Sequence, residues 1–214
     1  MRRTALTAAV VTLATLGVTP VWAHKPDFGN GDYASPATAY QIADPAVSIV
    51  VYRELSCDRP ELWMELEAEA GFPLYVQLLT PYIERIADYR PSLAIVGPGL
   101  PRRSIGIDIP AGNGAIVFNT RNASPQIFDE RFTGTQDWVL VEETVTLPRS
   151  ATYYVVAWDP SHRTGKLAVA VGTVEQFNLA DIIRFPGWRR DARAFHELGR
   201  FAPSSPIAEQ PCHL

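Results

Sequence analysis

Leu62-Trp63-Met64-Glu65-Leu66-Glu67-Ala68 alternates residue by residue, with Leu62, Met64, Leu66 and Ala68 on one side and Trp63, Glu65 and Glu67 on the other. Side chains at i and i+2 share a face only in an extended strand, so this stretch is a β-strand with one side in a core and the other in water. Similar runs, rich in β-branched and aromatic residues and divided by Pro and Gly, surround it: Val47–Leu55, Leu74–Leu79, Ser92–Val96, Ile105–Ile109, Ala115–Asn119, Trp138–Leu147, Thr152–Asp159 and Lys166–Gly172. No amphipathic helical run separates them, which a parallel α/β fold would require. The pattern predicts an all-β fold, an antiparallel β-sandwich of jelly-roll type over residues 46–178.

The flanks differ from this centre. Met1-Arg2-Arg3, an apolar run to about Val18 and Val21-Trp22-Ala23 make a basic segment, a hydrophobic segment and a small-x-small cleavage site, the features of a signal peptide over residues 1–23. The apolar run falls short of the roughly 20 residues that span a bilayer, and no later stretch reaches that length. Residues 24–45 are rich in Gly, Asp and Pro and are expected to be extended and loosely packed. Over residues 179–214, Leu179, Ile182 and Ile183 predict one helical turn, Pro186-Gly187 a break, and Trp188, Ala192, Phe195 and Leu198 a short amphipathic helix. That helix either docks on the sandwich or meets a partner or a membrane surface.

Charge and cysteines narrow the function class. The 19 basic and 23 acidic residues become 17 and 23 without Arg2 and Arg3, an acidic balance that argues against nucleic acid and anionic lipid as partners. Cys57 and Cys212 are the whole cysteine complement, and in an oxidising compartment such a pair is expected to form one disulfide tying the tail to the first third of the chain.

The segment Cys57-Asp58-Arg59-Pro60-Glu61 through Ala70-Gly71-Phe72-Pro73-Leu74-Tyr75-Val76 resembles one in bacterial pre-peptidase C-terminal domains, where an acidic turn leads to an alternating strand, Ala-Gly and a second alternating strand. Thr152-Tyr153-Tyr154-Val155-Val156-Ala157-Trp158 and Gly165-Lys166-Leu167-Ala168-Val169-Ala170-Val171-Gly172 resemble that family's closing strands. The resemblance covers about 110 residues in two blocks and implies a small secreted sandwich that binds surfaces or matrix beside a catalytic domain. This chain departs from it, carrying no catalytic domain and inserting Pro81–Arg90 and Gly97–Pro101. It is also similar to bacterial envelope proteins of this layout that carry no assigned activity.

Candidate chemistry is sparse. Cleavage after Ala23 would make His24 the N-terminal residue, whose α-amino group and imidazole can chelate copper, with His162, His196 or His213 as a further ligand. Asp27, Asn30 and Asp32 space oxygen ligands along a Gly-containing loop as a calcium site would, without the terminal acidic ligand of an EF-hand. Glu65, Glu67 and Glu69 share a strand face and would serve glycosidic hydrolysis only as a positioned pair; the simpler reading is a wet face. Neither Gly-x-Ser-x-Gly nor His-Glu-x-x-His occurs. Most aromatic residues belong in a sandwich core, and Trp63, Tyr82 and Tyr89 are the candidates to stack on a sugar or a partner. The sequence thus points to an exported, non-catalytic binding module of the periplasm or cell exterior, for a carbohydrate or another envelope protein. A periplasmic copper-binding protein using His24 and His162 is the alternative.

Overall fold

A computed structural model describes residues 24–28, 31–202 and 210–212. The expected signal peptide, Asn30 and His213 lie outside the described residues. Two sheets form. The first places six strands in the order β1 (Lys25–Asp27), β3 (Ile49–Leu55), β11 (Gly165–Val171), β5 (Pro73–Pro81), β9 (Thr135–Thr146) and β8 (Gln126–Glu130). The second orders β2 (Tyr40–Ile42), β4 (Glu61–Ala68), β10 (Ala151–Trp158), β6 (Ser92–Gly97) and β7 (Gly114–Phe118). The sheets pack face to face, and α1 (Leu179–Phe195) follows them in the chain. The all-β sandwich with a C-terminal helix is therefore the fold.

Alternation builds the core between the sheets. Leu62, Met64 and Leu66 of β4 join Leu74, Val76 and Leu78 of β5 and Leu167, Val169 and Val171 of β11, all buried. Each such side chain contributes roughly 1.5–3 kcal/mol on leaving water. Strand β11 is buried on both faces, its outward Lys166, Ala168 and Ala170 included. The small alanines leave room there for material packed on the outside of the six-stranded sheet.

Several expectations are corrected. Residues 24–45 are not merely extended: β1 pairs with β3 and β2 with β4, each in parallel, because the edges of the two longer strands carry backbone donors and acceptors that a short strand can satisfy. Ile105–Ile109 forms no strand. Its alternating Ile105, Ile107 and Ile109 pack instead on a second cluster around Trp63, Val96, Val156 and Trp158, on the outside of the five-stranded sheet. Strand β8 was not anticipated, since Gln126-Ile127-Phe128-Asp129-Glu130 lacks an apolar repeat and pairs with β9 only at the sheet edge.

The helix does not break at Pro186-Gly187 either. It runs from Leu179 to Phe195, opened by a capping box in which Asn178 accepts from the Asp181 amide (3.0 Å) and Asp181 accepts from the Asn178 amide (3.1 Å). A proline removes one i→i−4 hydrogen bond, here to the carbonyl of Ile182. Ile182 and Pro186 both lie on the exposed side of α1.

Cys57 and Cys212 form the expected disulfide, Cα atoms 5.3 Å apart, across 155 residues. Thr164, whose amide donates to Gln210, and His162, whose carbonyl accepts from Cys212, hold the tail on the turn before β11. Replacing both cysteines by serine should lower the unfolding free energy by up to about 5 kcal/mol, read from urea melts. In the same assay Leu78→Ala, in the buried core, should cost about 2–5 kcal/mol. Ile127→Ala, on an exposed edge position, should change stability by less than about 0.5 kcal/mol.

Candidate functional site

The outer face of the six-stranded sheet is where the chain forms concave surface. Alternation that sends Leu74, Val76 and Leu78 inward turns Tyr75 and Gln77 of β5 outward. Beside them stand Glu142 of β9 and Gln126 of β8, with a register shift in the β5–β9 pairing at Leu78/Leu79. Bulges of this kind re-aim side chains next to binding surfaces. These residues, with His24 and Ser124, line a groove of about 540 Å³. The Tyr75 hydroxyl donates to Glu142 at 3.1 Å. Burial first, and then the Glu142 carboxylate, push that phenol well above its ordinary value.

A second hollow, of about 460 Å³, adjoins the first at His24. Its walls are Phe132, Phe177, Phe185 and Trp188, with Arg131 and Glu175 at the same opening. Phe185 is the hub, with ring centroids 4.8 Å from Phe132 and 5.6 Å from both Phe177 and Trp188. The first space sets its polar groups beside Ile127, Phe128, Val139, Leu140 and Val141, and the second is aromatic. His24 stands between them, hydrogen-bonded through Nδ1 to the Ser48 hydroxyl. Burial lowers its pKa, against a smaller opposing pull from Glu175 and Glu142, so the imidazole is neutral at neutral pH.

The aromatic hollow takes Phe185 and Trp188 from α1, which polar anchors hold across the sheet. Lys25 meets Asp181 at 2.9 Å, His196 meets Asp137 at 2.9 Å, and the Arg193 guanidinium donates to the Thr133 carbonyl at 3.3 Å. Lys166 reaches Glu197 at 2.9 Å and donates to the Phe195 carbonyl at 3.0 Å, while Arg85 also pairs with Glu197. The two ring nitrogens of His196 face the Asp137 carboxylate and the Ala192 carbonyl. Both are acceptors, so the ring is held between two buried oxygens.

The structure separates most of the anticipated site residues. Trp63 is fully buried and packs edge-on against Tyr154 at 5.7 Å, because the outer face it occupies is covered rather than wet. Tyr89 is fully buried too, with the Arg163 guanidinium 5.5 Å from its ring. Neither can stack on a ligand. Tyr82 is 46% exposed, rests on Trp138, and lines a third hollow of about 420 Å³ with Asp129, Gln136 and His196.

His24 and His162 are not brought together. The Val171 end of β11 pairs with Ile49, to which Lys25 is also paired, whereas His162 precedes the Gly165 end, paired with Leu55. The length of β11, about 20 Å at 3.3 Å per residue, lies between them. The ring nitrogen that would close a chelate with an adjacent α-amino group is Nδ1, and Ser48 engages it. Of the calcium candidates, Asp27 is hydrogen-bonded to the Tyr40 hydroxyl and Asp32 lies in the field of Arg53. No group of three or more His, Cys, Asp or Glu side chains among the described residues is placed to hold a metal. No helix among them is long and apolar enough to cross a membrane.

Sequence reasoning passed over Tyr75, Gln77, Gln126 and Glu142. The available signal was Gln77, the lone amide inside the apolar run Leu74–Leu79. The aromatic wall was less accessible, since Phe132, Phe177, Phe185 and Trp188 come from distant segments.

No protein-family model matches the chain, and no curated protein matches it. The likeness to pre-peptidase C-terminal domains therefore rests on the quoted segments. Among solved structures, the chain is similar to Aeromonas hydrophila PliG, a periplasmic lysozyme inhibitor of g-type lysozyme, at 12% identity and TM-score 0.34 over 70% of this chain and 98% of that one. It is also similar to Caldicellulosiruptor saccharolyticus CBM27-1 in complex with mannohexaose, at 13% identity and TM-score 0.35 over 60% and 76%. Likenesses this distant do not bear on what this chain binds.

The carboxylate anchors of α1 predict an acid transition. The hydrogen bond from Lys25 holds Asp181 below its ordinary 3.8; burial pushes Glu197 up, but Lys166 and Arg85 outweigh it and leave it below its ordinary 4.5. Carboxyls depressed in the folded state contribute stability that is complete above their unfolded values and lost as pH falls through the folded ones. Hydrogen exchange should therefore show α1 amides losing protection below pH 3.8 while those of β10 and β11 remain protected. Simultaneous loss in helix and strands would contradict the separate anchoring.

Proposed function

We propose that the chain is an exported, non-catalytic binding module whose ligand lies in the groove on the outer face of the six-stranded sheet. The observation that carries this reading is the junction at His24 of a groove of about 540 Å³ and an aromatic hollow of about 460 Å³. Binding sites combine concave surface with a few converging polar groups in this way. Export is supported by the signal-peptide features and by the disulfide, which persists in an oxidising compartment.

The larger space suits a saccharide. Ser124, Gln77 and Gln126 offer hydroxyl and amide groups that both donate and accept, as sugar hydroxyls do, and Phe128 and Ile127 supply apolar surface beside them. Glu142 is the one carboxylate among the described residues lining that space, whereas glycosidic hydrolysis uses two flanking the scissile bond. Holding a sugar requires no second carboxylate.

The test is a glycan array probed with the purified chain and with Tyr75→Ala and Gln126→Ala. At least one glycan class should be retained by the wild type and weakened about tenfold by each variant, the effect of one lost hydrogen bond of roughly 1.4 kcal/mol. Retention of no glycan, or retention that both variants leave unchanged, would remove the saccharide reading.

A further inference from the structure

The aliphatic residues of α1 face away from the sheet on which it docks. At 100° per residue, Asp181, Trp188 and Ala192 share the face toward the sandwich, and Asp181 and Ala192 are buried. Leu179, Ile183, Pro186 and Arg190 share the opposite face; Ile182 and Arg189 lie roughly 80–100° from its centre on one side and Arg184 roughly 120° from it on the other. Leu179 and Ile183 are each 80% exposed and Ile182 is 53% exposed. Docking does not need them, because the anchors of α1 are ion pairs and hydrogen bonds to Asp181, Arg193, His196, Glu197 and the Phe195 carbonyl.

Charge on this face runs against the rest of the molecule. The chain as a whole carries −4, yet Arg184, Arg189 and Arg190 are all exposed here, and the carboxylate beside them is Asp191, paired with Arg190. An overall acidic balance therefore does not describe this patch. Exposed Leu179, Ile182 and Ile183 at the start of the helix and exposed Arg184, Arg189 and Arg190 further along combine apolar surface with positive charge, the two contributions that bind a helix to the headgroup boundary of an anionic bilayer.

We propose that the outward face of α1 docks on an anionic phospholipid bilayer, with Leu179, Ile182 and Ile183 entering the interface and Arg184, Arg189 and Arg190 meeting lipid phosphates. The helix lies in the plane of the surface rather than across it. Docked this way, the helix brings the module, and the aromatic hollow that adjoins its groove, close to the membrane. The contact is separate from ligand binding in that groove and stands or falls without it.

The test is co-sedimentation of the chain, collected after export by a bacterial host, with liposomes of phosphatidylethanolamine and phosphatidylglycerol in a three-to-one ratio, compared with phosphatidylcholine alone. Wild type should partition onto the anionic liposomes and be released by added salt. Both Ile182→Ser/Ile183→Ser and Arg184→Gln/Arg189→Gln/Arg190→Gln should weaken partitioning by at least roughly tenfold. All five positions are exposed, and thermal melts check that each variant is folded; the arginine variant decides alone if the isoleucine variant is not. Equal binding by wild type and a folded variant, or equal binding to neutral liposomes, overturns the proposal. So does a wild type that ignores both liposomes and sediments as a dimer dispersed by Ile182→Ser/Ile183→Ser.

Discussion

A buried ammonium organises the outside of the six-stranded sheet. Lys166 projects outward from β11, the strand buried on both faces, and is itself only 5% exposed. A charge in such a place is tolerable only if paired and hydrogen-bonded. Glu197, the Phe195 carbonyl and the face of the Phe195 ring all converge on it, and every one of them comes from the end of α1 or just beyond. The helix is thereby obliged to lie where it does. Its other anchors, at Asp181 near the start and His196 just past the end, fix its direction across the sheet. Phe185 and Trp188 then fall over the gap beside Phe132, and the aromatic hollow follows from that placement.

The two outer faces of the sandwich are treated differently. On the five-stranded sheet, Trp63, Val156 and Trp158 are covered by irregular chain carrying Ile105, Ile107 and Ile109, which leaves an apolar seal. On the six-stranded sheet the cover is a helix held by charges, with polar strand residues alongside. A cover fixed at a few polar points need not fill all the space below, and open volume remains beside it. Concave surface therefore gathers on that sheet, around His24 and the β8–β9 hairpin.

What could be read from the chain beforehand was the part governed by local periodicity. Leu62–Ala68, Thr152–Asp159 and Lys166–Gly172 become strands because their alternation matches a buried face and a partner of equal length. Ile105–Ile109 shows the limit of that rule, since alternating side chains also suit a loop laid over a sheet, and backbone pairing cannot be inferred from side chains alone. Trp63 was misplaced for a related reason. Its neighbours Glu65 and Glu67 suggest a wet face, and only the tertiary cover of one end of that face makes it dry. The candidate groove was the least legible part, because Tyr75, Gln126, Glu142 and His24 meet only through sheet order, and sheet order leaves no local trace.

The N-terminal segment supplies one edge strand to each sheet, β1 beside β3 and β2 beside β4, both only three residues long. Beyond Val51, β1 reaches no further along β3. There the strand carries Arg53, which by its register with Leu167 points inward, buried and donating to the Gly31 carbonyl at 2.7 Å. An inward charge beyond the end of a short edge strand is a recognised obstacle to another chain adding itself as a further strand. A neighbouring molecule extending the sheet at this point would have to match a guanidinium with an apolar side chain. In a crowded compartment, that mismatch protects the fold from edge-to-edge aggregation.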